Sequence, residues 1–144
     1  MIEPDTVKLL RECDAGIKMG TSSIEDVIDR VSSNELRDEL DRCKREHDKL
    51  RTECTDLLNE FHDEGKEPNP MAKGMSWMKT NMKMAVDASD ETIADLMTDG
   101  CNMGVKSLNK YLNQYKAADE RSKDITKRLI NLEGELAQNL RAFL

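Results

Sequence analysis

The seam in residues 34–63 constrains this chain most. Leu36, Leu40, Cys43, His47, Leu50, Cys54, Leu57 and Phe61 recur in alternating steps of four and three, with charged residues on the other faces. Four heptads of that pattern specify one long amphipathic helix that buries a narrow stripe against partner helices. One position in the stripe is polar, His47, one of two histidines in the chain. The chemistry of that histidine is therefore a question about the core.

The rest of the sequence repeats the theme. Pro4 suits a first helical turn, and Val7, Leu10, Asp14, Ile17, Thr21, Ile24, Ile28 and Val31 trace a stripe over about 5–31. Gly20-Thr-Ser-Ser is a candidate kink, with Ser22 and Glu25 able to cap a new start. "SSNE" at 32–35 reads as a capping box for the second helix, 34–63. "DEGKEPNP" ends it, Gly65 taking a left-handed cap. A third helix over 90–116 buries Ile93, Leu96, Met97, Cys101, Val105, Leu108, Leu112 and Tyr115. A fourth over 120–142 buries Ile125, Leu129, Leu132, Leu136 and Leu140. No Gly or Pro separates these two, but a single helix would be ~80 Å long, too long for a domain of this size. A turn near 116–120 is expected, with Asp119 or Ser122 as cap.

Aromatics make up 3% of the chain and its three prolines stand at 4, 68 and 70, so strands are not expected and the fold class is all-α. The 144 residues form one domain, 1–144. The short joins inside each helix pair predict two antiparallel hairpins. The 25 residues between them can return the chain along the whole bundle, which predicts a long crossover containing a short fifth helix at 71–86. Met71, Met75, Met78 and Met82 share a face of that helix beside Trp77. This is a candidate interaction surface, carrying Lys73, Lys79 and Lys83 and no acid. Packing on its own bundle is the preferred reading over a membrane surface or a partner.

The stretches "CDAGIKMG", "SSNELRDEL" and "DGCNMGVKSLNKYLNQY" resemble a family of uncharacterised bacterial ferritin-like domains, over about residues 5–140. The resemblance implies a ferritin-like four-helix bundle with a crossover helix, and implies no activity.

A ferritin-like di-iron centre needs Glu from two helices and Glu-x-x-His from the other two. Lys44 stands three residues before His47, and Asn59 three before His62; the last helix has no histidine. The motif is absent, no cofactor is expected, and the chain reads as no enzyme. Asp14, His47, Cys43 and Cys101 are the candidates for a nonstandard metal or redox site. Hairpin geometry brings Asp14 within a turn of His47, so a buried carboxylate–imidazole pair fixing helix register is expected. Gly16, Gly20, Gly100 and Gly104 are expected at close helix contacts, within the bundle or across a dimer.

A net charge of -7 excludes general nucleic-acid binding. No apolar run is long enough to span a membrane. The beginning MIEPDTVKLL lacks the pattern of a signal peptide. The four cysteines, Cys13, Cys43, Cys54 and Cys101, form no CxxC and lie on or beside apolar stripes. They are expected to be reduced core thiols in a cytoplasmic protein. The function expected is a structural or protein-interaction module that self-associates, a dimer by preference.

Overall fold

The computed structural model describes residues 4–66, 78, 81 and 89–144. Among them there are four long helices and no strand. Helix α1 spans Pro4–Val27 and runs on into a short 3-10 turn, Ile28–Arg30. Helix α2 spans Asn34–Glu60, α3 spans Asp90–Gln114, and α4 spans Glu120–Leu140 followed by a 3-10 turn, Arg141–Phe143.

Side-chain caps set the starts of three helices. Ser33, Ser89 and Asp119 each accept a backbone N–H from three residues on, Leu36, Thr92 and Ser122. The cap of α2 is thus the second serine of "SSNE". The turn between the last two helices falls where chain length requires it. Helix α1 does not restart at Ser22. It continues through Gly20–Ser23, where Thr21 donates to the carbonyls of Ile17 and Lys18, and Ser23 to that of Met19. Helix α2 stops three residues before the expected 63. Its last turn closes through N–H groups of Phe61 and Asp63 on the Leu58 carbonyl, and His62 takes positive φ before Gly65 does.

Two sets of contacts orient the helices. The N–H groups of Ser32 and Ser33, in the α1–α2 turn, both donate to the Asp90 carboxylate at the start of α3, each at 2.8 Å. At the other end, Ala117 donates to Asp5, and Asp119 to the Thr6 hydroxyl. So α1 and α4 run one way and α2 and α3 the other. Helix α2 ends at the opposite end of the bundle from where α3 begins. The most extensive packing is α3 on α4 and α1 on α2, followed by α2 on α4 and α1 on α4.

The core joins the stripes of all four helices, including Leu10, Ile17, Ile24, Leu36, Leu40, Ile93, Leu129 and Leu136. In the last turn of α2, burial shifts from Leu57 to Leu58, as the drift of a 3.6-residue helix against a 3.5-residue repeat dictates. Met78 is fully buried in this core, in keeping with packing of that residue on its own bundle. The remainder of the expected 71–86 helix, with Met71, Met75, Trp77 and Met82, lies outside the described residues apart from Asn81. Among the described residues, no helix is long and apolar enough to cross a membrane.

Candidate functional site

Residues buried on the inward stripe of α2 include His47 at mid-helix, 1% exposed. Its Nδ1 lies 2.8 Å from the Cys43 carbonyl oxygen, one turn back on the same helix. A carbonyl can only accept, so Nδ1 carries a proton and donates. On the other side of the ring, Nε2 lies 2.8 Å from Oε1 of Glu133, on α4. The Cys43 sulfur is 3.5 Å from Nδ1.

With acceptors at both nitrogens, the imidazole is held as a cation opposite a carboxylate. Burial acts against that charge. The hydrogen bonds to the Cys43 sulfur and to Glu133, with the charge of Glu133, outweigh it, and the His47 pKa is lifted to about 10. The partner is next to a third helix as well. Glu133 hydrogen-bonds Cys101 of α3, whose thiol is pushed far up by burial first and by the Glu133 charge second. Four side chains from three helices therefore meet in one layer: Cys43, His47, Glu133 and Cys101.

The fourth helix contributes by an absence. A Cβ at Gly20 of α1 would lie 2.7 Å from His47 Nε2, 2.8 Å from its Cδ2 and 3.4 Å from Glu133 Oε1. Both groups are fixed in the core, so only glycine fits. Gly16 and Gly104 behave differently. A Cβ at Gly16 or Gly104 would meet ordinary van der Waals distances, 3.7 Å to Leu129 and 3.8 Å to Glu133. Gly16, Gly20, Gly100 and Gly104 all line a cavity of about 430 Å³ between α1 and α3. Gly16, Gly20 and Gly104 thus stand close to side chains of the neighbouring helices.

Asp14 is not in this cluster. The expected Asp14–His47 pair does not form. Asp14 is buried and bound to Lys18 Nζ at 2.8 Å, one turn on along α1, and accepts the N–H of Lys66 at 3.0 Å. Gly65 lies against it at φ 87°, where a side chain would be strained and would strike the carboxylate. Lys66 also reaches Glu12, at 2.5 Å. Asp14 thus ties the chain leaving α2 back to α1. The physical reason for the mismatch is depth. His47 is level with Gly20, nearly two turns from Asp14.

Glu133 is the residue that the sequence reading passed over. It stands four residues after Leu129 and three before Leu136, in phase with the apolar stripe of α4, and that phase was the available signal. The remaining thiols are structural. Cys13 lies 3.0 Å from the Thr126 hydroxyl, and burial lifts its pKa to about 12. Cys54 donates to the Leu10 carbonyl, and burial pushes its thiol up too. All four cysteines are free and buried. Among the described residues, no three of His, Cys, Asp and Glu are placed to hold a metal ion.

Comparison with protein-family models, curated proteins and solved structures gives no match.

Proposed function

We propose that this chain is a non-enzymatic structural or protein-interaction module of ferritin-like plan, cytoplasmic and self-associating as a dimer. The observation that carries this reading is the closure of the polar centre upon itself. A ferritin-like di-metal centre needs four carboxylates and two imidazoles turned inward. Among the described residues, the buried carboxylates are Asp14 and Glu133, and each faces a cation of the same chain, Lys18 and His47. Both imidazole nitrogens have acceptors. Such a pair contributes register and helix order rather than a reactive centre. The order of helix directions supports the ferritin-like plan, since it needs one connection running the length of the bundle.

A second reading is a divergent metal-binding or redox bundle. It is favoured by the meeting of Cys43, His47, Glu133 and Cys101 in one layer, and Asp14 takes no part in it. Elemental analysis of protein purified without chelators, with sedimentation for mass, tests the first reading. A dimer without stoichiometric iron, manganese or zinc is expected. One equivalent of any of these metals would overturn it in favour of the second.

A further inference from the structure

The cavity between α1 and α3 holds about 430 Å³ and is half-open, within the ~300–1,000 Å³ usual for small-molecule pockets. A carboxylate and two bare stretches of backbone shape it. From α1 and from α3, the Cβ positions of Gly20 and Gly104 come within 3.4 Å and 3.8 Å of the Glu133 carboxyl group. That group, on α4, therefore lies at the floor between two walls without side chains. One turn back along α1, the Cβ position of Gly16 meets Leu129 and Leu108 instead, so the floor beyond the carboxylate is apolar. Among the described residues, Met19, Met78, Met97 and Met103 line the same space.

Two properties of these walls select a guest. Thioethers are flexible and polarizable and make favourable contacts with aromatic rings, and a slot between two glycine-bearing helix faces suits a flat molecule. The charges, in turn, are already balanced. Glu133 faces His47 at 2.8 Å, and Glu12, which also lines the cavity, faces Lys66 at 2.5 Å. A charged guest would lose hydration and find no counter-charge left. An ionised carboxylate only accepts, with about four lone-pair sites. His47 and the Cys101 thiol engage Glu133 already, so the remaining capacity of this residue, 9% exposed, is for a further donor.

We propose that this cavity is a binding site for an uncharged aromatic molecule with one N–H or O–H group. The ring lies flat between α1 and α3 against the methionines, and its polar group donates to the Glu133 carboxylate. No covalent bond forms or breaks, and the site stands whether or not the chain dimerises.

The probe is indole, added to the full chain carrying methyl-labelled methionine and followed by NMR. Saturable shifts of the Met97 and Met19 methyl signals are expected, with a dissociation constant below about 1 mM. N-methylindole has nearly the same shape without the donor and should bind about ten-fold more weakly. Gly104→Leu, which fills the slot from α3, should weaken indole binding at least ten-fold. Gly134→Ala, with nothing within 4 Å of its Cβ position, should leave it unchanged. Circular dichroism identifies a variant that fails to fold, and the two indoles on the wild-type chain then decide. Methionine signals that do not move with indole overturn the proposal, as does N-methylindole binding as tightly as indole. A folded Gly104→Leu chain that binds like wild type overturns it too.

Discussion

At the scale of single residues, the core is organised by one ion pair and the glycine that admits it. His47 and Glu133 are bonded at 2.8 Å and nearly excluded from solvent, so removing one partner leaves the other buried without compensation, at a cost of ~3–5 kcal/mol. In a double-mutant cycle with His47→Gln and Glu133→Gln, the coupling energy is expected to be ~1–3 kcal/mol by urea unfolding. The same cycle between His47→Gln and Asp14→Asn should be additive within ~0.5 kcal/mol, because Asp14 is bound to Lys18 and Lys66 instead. Two glycines give a matched comparison. Gly20→Ala places a methyl group against the His47 ring and should destabilise by ~1–3 kcal/mol. Gly134, inside α4, has nothing within 4 Å of a built Cβ, so Gly134→Ala should stabilise by ~0.5–1 kcal/mol. Thermal or urea unfolding of the two variants should move in opposite directions.

At the scale of elements, periodicity and chain length carried most of the information. The α2 stripe and the α3–α4 turn follow from residue order, as does the pair Asp119 and Ser122 from which the cap of α4 is drawn, since each depends on neighbours within a turn. Partnership across the bundle does not. Asp14 and His47 lie in facing stripes, and a turn of error in depth separates a contact from none. Glu133 sat in phase among leucines, where a carboxylate is read as a solvated face unless its distant partner is known. The glycines were legible as exceptional, but whether they meet a backbone, a ring or open space is decided by helices far off in sequence. One contact between elements has a direct test. Asp90 receives both N–H groups of the α1–α2 turn, beyond serving in the first turn of its own helix. Asp90→Ala should therefore cost ~1–3 kcal/mol in unfolding free energy, more than Glu91→Ala beside it. Equal effects would mean that the clasp does not hold the two hairpins together.

At the scale of the whole molecule, a buried cation in an acidic chain couples stability to pH. An unfolded histidine titrates near 6.5, and His47 in the fold is lifted to about 10. The folded state then holds a proton that the unfolded state gives up between those values. The contribution is fully present below about pH 6.5 and is lost as pH rises toward 10. Denaturant midpoints should fall over that interval, by ~2–4 kcal/mol in unfolding free energy. Above about pH 9 the buried thiols add in the same direction, since folding keeps them protonated. In His47→Gln the decline between pH 6.5 and 9 should largely disappear.

The centre of the bundle is an imidazolium locked between a carbonyl and a carboxylate, and nitrogen NMR of the ring reads that state directly. The other histidine, His62, is removed by His62→Asn, a change that its positive φ of 56° accommodates. In protein labelled at the His47 ring nitrogens, both are expected to carry a proton at pH 8, with correlations from both N–H groups protected from exchange with water. A ring with one unprotonated nitrogen at pH 8 would contradict the pair, and with it the proposal that this bundle closes its own polar centre.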